Sequence, residues 1–120
     1  MVMTYEKLDV YQLAFDKAVQ IYNVTEHAPK HELYGGVVSQ MRRSSQSICA
    51  NVAEGLSKQT TLTEKKRFLH MALGSCEETR VWIAFCIKFK YVQSELGESL
   101  RDDYNTISKM LYQLEKKLSF

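Results

Sequence analysis

A chain of 120 residues with one proline and five glycines has few places to turn. Strand-rich folds of this size need a turn roughly every 8 to 12 residues, and turns draw on those two residue types. The shortage favours a few long helices on short connections, and the apolar residues are spaced to match. Leu8, Tyr11, Phe15, Ala18 and Tyr22 recur at intervals of three and four, a helical face that Val10, Ala14 and Ile21 widen. The alternation returns in Tyr34, Val38, Met41, Ser45, Ile48, Val52 and Leu56. It appears again in Leu69, Ala72, Cys76, Thr79, Ile83 and Cys86, and most regularly in Leu96, Leu100, Tyr104, Ile107, Leu111, Leu114 and Leu118.

These stripes predict helices near residues 8–27, 31–57, 62–90 and 94–118. Asp9 with Gln12, and Ser94, are candidate N-terminal caps, and Thr61 with Glu64 fits a capping box. Pro29 stops the first helix, and Glu32 complements the positive end of the second. Gly35 and Gly36 weaken the start of that second helix by about 1 kcal/mol each relative to alanine. The expected core joins Leu100, Ile107, Leu111 and Leu114 to Phe15, Ile48, Val52, Leu69 and Ile83. Short connections between helices of similar length imply an all-α fold, an antiparallel up-down-up-down four-helix bundle in one domain over residues 1–120.

Apolar residues at 45% and charged residues at 25% are the balance of an ordinary globular protein. The start has no basic stretch leading into an apolar run, and the longest apolar run, residues 81–87, falls far short of the ~20 needed to span a bilayer. A cytoplasmic protein without a membrane partner is expected. Cys49, Cys76 and Cys86 are odd in number and lack metal-ligand spacing, so they read as buried free thiols.

Candidates for chemistry are few. His27 and His31 stand four apart but are separated by Pro29, and two ligands without a third group do not hold a metal well. Ser44, Ser45 and Ser47 lack a base and an oxyanion pocket, and with Ala50, Ala53 and Gly55 they suit close helix approach instead. No phosphate loop, Walker lysine or HExxH motif occurs. The chain is therefore expected to bind rather than catalyse, with no cofactor and no metal. Asn51, Glu54 and Glu78 suggest an inter-helix polar network that fixes register.

Two features point outward. Residues 81–87 are apolar on every side for nearly two helical turns, whereas a bundle helix needs one apolar face. A second copy covering Trp82, Phe85 or Phe89 would remove that patch from water. The charge of +2 is unevenly spread, because residues 41–67 carry six basic side chains against two acidic ones. Arg42, Arg43, Lys58, Lys65, Lys66 and Arg67 flank the connection between the second and third helices, and Arg80, Lys88 and Lys90 continue along the third.

Residues 40–55 read QMRRSSQSICANVAEG, with the ordered core SxxSIxANxAEG. Leu8 to Ala14, Pro29 with Glu32 to Gly35, Phe68 and Leu69 with Ala72 to Ser75, Glu78, and the leucine-rich last helix extend the pattern along nearly the whole chain. The sequence resembles the bacterial four-helix bundle proteins encoded in ribosomal-RNA intervening sequences. That family is similar in turn to the accessory variability determinant of diversity-generating retroelements, a basic pentamer that binds nucleic acid and a reverse transcriptase. The resemblance implies an up-down bundle assembling as a homopentamer. The uneven charge, multiplied around such an assembly, makes structured RNA or other nucleic acid the expected partner of the nine basic residues named above. The alternative is a protein-interaction scaffold that docks a partner such as a reverse transcriptase without touching nucleic acid.

Overall fold

The computed structural model describes residues 4–57 and 59–118. They form a 3-10 turn, Tyr5–Lys7, and five α-helices: α1 Asp9–Val24, α2 Lys30–Gly35, α3 Val37–Ser57, α4 Leu62–Lys88 and α5 Ser94–Lys117. No strand occurs among the described residues. Each of the four long helices packs on two others. α3 lies against α1 and α4, and α5 lies against α4 and α1, while α1 and α4 make no close approach among the described residues. Hydrogen bonds Ser44–Thr79 and Ser47–Ser75 show α3 and α4 running in opposite directions. The pairs His70–Glu115 and Cys76–Ser108 show the same for α4 and α5. The molecule measures 45 × 25 × 21 Å, and the 27-residue α4, ~40 Å long, sets its length.

Local chemistry fixes the helix ends, with several shifts from the sequence expectation. Thr61 caps α4 by accepting the Glu64 N–H at 3.1 Å. The cap of α1 is Leu8 rather than Asp9, and Gln12 reaches back to donate to the Glu6 carbonyl. Gln93, not Ser94, precedes α5. The predicted second helix is broken in two, because Gly36 adopts an extended backbone (φ −100°, ψ −163°) between α2 and α3. A Cβ at Gly36 would meet the Glu32 carboxylate, the far end of a flexible side chain that can swing aside. α4 stops at Lys88, and Lys90 turns the chain through a left-handed conformation (φ 66°), with Tyr91 N–H donating to the Cys86 carbonyl at 2.8 Å.

The core is continuous along the bundle. Ile48 and Val52 of α3, Leu69 and Ile83 of α4, and Leu100, Ile107 and Leu111 of α5 are buried, as their spacing predicts, and Leu114 is half-buried. α1 departs from expectation. It buries Val10, Ala14, Ala18 and Ile21, and leaves Phe15 51% and Tyr22 50% exposed. The chain carries two adjoining apolar stripes on α1. The one with small residues at positions 14 and 18 lets the helix come close, whereas the rings would hold it away.

Candidate nucleic-acid and assembly surfaces

The nine basic residues do not form one patch. Lys65, Lys66 and Arg67 sit on the first turns of α4 and Lys88 at its last, a separation of ~32 Å along the helix. Lys58 lies outside the described residues. Lys65 and Lys66 are half-buried, while Arg67 is exposed and forked onto Glu64 at 3.1 Å, with its guanidinium 4.7 Å from the Phe68 ring centre. Arg80 lies 3.4 Å from Glu77. Arg43, Lys88 and Lys90 are exposed.

Arg42 has a different setting from the others. Its Nε donates to Thr25 Oγ1 at 2.9 Å and its Nη2 to the Tyr22 carbonyl at 3.0 Å, while the guanidinium lies 4.0 Å from the centre of the Tyr22 ring. Thr25, fully buried, spends its own proton on the Ile21 carbonyl at 2.7 Å. Arg42 thus satisfies the carboxyl end of α1, where helix carbonyls lack partners and a cation is favoured.

The α3–α4 seam is held by hydroxyls. Thr79 Oγ1 donates to Ser44 Oγ at 2.8 Å and Ser75 Oγ to Ser47 Oγ at 3.0 Å. Asn51 joins this seam by donating to the Ser47 carbonyl and hydroxyl. Glu78 instead accepts from Trp82 Nε1 at 3.3 Å on its own helix, and Glu54 is half-buried. Composition marked Ser44 and Ser47 only as small. Their pairing with Ser75 and Thr79 depends on the register of α3 against α4, which no single stripe discloses.

Trp82, Phe85, Phe89 and Tyr91 form a row of rings whose successive centres are 6.0, 5.8 and 6.0 Å apart. Phe85 is 42% and Phe89 49% exposed, and Lys88 and Lys90 flank the far end. A second apolar surface lies on another side. Tyr11, Phe15, Val19 and Tyr22 of α1, with Gln46 and Cys49 of α3, line an open groove of about 450 Å³. Burial pushes the Cys49 thiol up to about 11, so it lines the groove as a neutral group. Glu6 and Asp16 border the groove beside Tyr11 and Phe15. The only signal for it in the sequence is the surplus apolar stripe of α1.

His27 and His31 are exposed, His31 lying 3.6 Å from Glu32, and His70 meets Glu115 at 3.2 Å. Among the described residues, no three or more of His, Cys, Asp and Glu come together as a metal-binding set. No helix among them is long and apolar enough to cross a membrane.

No curated protein matches the chain. A crystal structure of a protein with unknown function from the S23 ribosomal protein family of Bacteroides thetaiotaomicron VPI-5482 is similar in fold, with a TM-score of 0.78 and 28% identity. That likeness covers 90% of this chain and 99% of the other. The 23S rRNA-intervening sequence protein family matches residues 6–113, nearly the whole sequence, and the chain belongs to that family.

Proposed function

We propose that this is a non-enzymatic, homo-oligomeric, cytoplasmic bundle protein that binds structured RNA or other nucleic acid through basic surfaces. The family match over residues 6–113 carries the RNA part of this reading. The reversed order of contacts across the seams supports an up-down-up-down arrangement of α1, α3, α4 and α5. The exposed rings at Phe85 and Phe89 support self-association, since a monomer would leave them in water. Five as the subunit number follows from the resemblance to the retroelement accessory determinant. A closed assembly repeats each modest cationic group around its rim, so several weak sites act together. Lys65, Lys66 and Arg67, on the first turns of α4, form the basic group nearest the α3–α4 connection, and Arg42, Arg43, Lys58, Arg80, Lys88 and Lys90 complete the proposed set. The same aromatic row supports the alternative, a scaffold for a protein such as a reverse transcriptase that never contacts nucleic acid.

Titration of a ribosomal-RNA hairpin with wild-type protein and with the Lys65→Ala/Lys66→Ala/Arg67→Ala variant tests the reading. The expected result is binding that weakens steeply with salt. The slope of log affinity against log salt should be shallower by roughly 2 in the variant for each protomer engaged. Sedimentation of the variant should match wild type. Absence of any salt-sensitive shift at low ionic strength with wild-type protein, on this hairpin or on unrelated RNA, overturns the reading in favour of the scaffold.

A further inference from the structure

We infer that RNA is held across the α4–α5 seam at the Lys117 end of α5, where the Tyr112 ring stacks on an unpaired loop base between Lys109 and Lys116. The inference rests on the nucleic-acid reading and names the surface and the RNA feature it takes. The charge of α5 is divided along its length. Its first half carries Glu95, Glu98, Asp102 and Asp103 against Arg101, and its second half carries Lys109, Lys116 and Lys117 against Glu115. Glu115 meets His70 of α4 at 3.2 Å, and that contact sets the cationic end of α5 beside the first turns of α4. Those turns bear Lys65, Lys66 and Arg67, the last paired with Glu64. Cations of two helices thus share one end of the bundle, whereas Arg42, Arg80, Lys88 and Lys90 lie toward the other.

Lys109, Tyr112, Gln113 and Lys116 recur at helical spacing on one face of α5, and all four are exposed. Tyr112 is 54% exposed, and the Lys116 ammonium lies 4.6 Å from its ring centre, so the ring is held with a cation against it. An open hollow of about 350 Å³ adjoins the ring, lined by Leu73 of α4 with Ser108, Lys109, Tyr112 and Gln113 of α5. A nucleobase has apolar faces and a polar edge, and the hollow offers groups for both. Tyr112 and Leu73 supply apolar contact. Ser108 donates to Cys76 Sγ at 3.1 Å and to Glu77 at 3.4 Å, which leaves its oxygen as an acceptor. The Gln113 amide can donate and accept. Glu77, the carboxylate that Ser108 meets, also pairs with Arg80 at 3.4 Å. Lys109 and Lys116 stand about a turn to either side of Tyr112, ~10 Å apart along the helix, where each can meet a phosphate next to the stacked base. Bases inside a duplex keep their faces stacked on one another, so a ring of this kind takes its base from a loop, a bulge or an end.

Fluorescence anisotropy with two labelled RNAs of equal phosphate number tests the inference: a ribosomal-RNA hairpin with an unpaired loop, and a blunt duplex of the same stem. Wild type is expected to bind the hairpin more tightly than the duplex. Tyr112→Ala should lose about tenfold or more on the hairpin, the worth of one stacked base, and nothing on the duplex. Tyr112→Phe keeps the ring and should bind as wild type does. Lys109→Ala/Lys116→Ala should weaken both RNAs and make the salt dependence shallower. If Tyr112→Ala loses helix content by circular dichroism, Tyr112→Leu takes its place. A wild type that binds neither RNA would remove the nucleic-acid reading and this inference together. Salt-sensitive binding that Tyr112→Ala leaves intact on the hairpin, or weakens equally on both RNAs, overturns the α4–α5 surface alone, as does a double-lysine variant that binds like wild type.

Discussion

Arg42 belongs to the run of cations that sequence assigns to a partner, yet its donors are directed at the end of α1. Two hydrogen bonds from a charged donor, one to a helix carbonyl and one to a buried threonine hydroxyl, tie α3 to the carboxyl end of α1. Arg42→Ala is expected to lower unfolding stability by about 2 kcal/mol, the worth of hydrogen bonds made by a charged group. Arg42→Lys should recover only part of this, because an ammonium lacks the planar fork that reaches both acceptors. Urea denaturation checks the pair. Equal stability of the alanine variant and wild type would return Arg42 to the free surface.

At the scale of elements, helix propensity and packing make opposite demands on glycine. Gly74 stands on the exposed side of α4, and a Cβ added there would meet nothing within 4 Å. Gly74→Ala is expected to raise stability by about 1 kcal/mol through propensity alone. Gly55 is buried near the end of α3, and a Cβ there would lie 2.8 Å from the Phe68 Cβ of α4. The same replacement at Gly55 should therefore force the helices apart and lower stability by about 1 to 3 kcal/mol. Thermal unfolding of the two variants reads the contrast, and a gain at both positions would contradict the close approach at Gly55. Periodicity identified both segments as helical, but only the α3–α4 contact separates one glycine from the other.

For the whole molecule, the three thiols give the stability curve an alkaline limb. Cys49, Cys76 and Cys86 lie in α3 and α4, and burial pushes each from the ordinary value of 9.0 up to about 11. A thiol that holds its proton more tightly when folded favours the folded state until the unfolded chain begins to release that proton. Between about pH 9 and 11 the folded state binds more protons, so stability is full below pH 9 and falls as pH rises through that window. Urea midpoints measured from pH 7 to 11 should stay level and then decline, and replacing Cys86 with alanine should flatten the decline while lowering the plateau. An unchanged midpoint up to pH 11 would show that the thiols are not held as described.

The sequence by itself determined the all-helical class, the four long segments, the Thr61 cap and the buried stripe of α5. Each depends on residues a turn or less apart, and helical spacing alone expresses them. The tertiary structure decided which of the two apolar stripes of α1 entered the core, and that Gly36 would divide α2 from α3. It also decided that Ser44 and Ser47 would meet Thr79 and Ser75, and that Arg42 would cap α1. Those outcomes depend on how near one helix can come to another and in what register. The small side chains of Ala14 and Ala18 allow a close approach that the rings of Phe15 and Tyr22 do not, and leaving those rings outside created the groove.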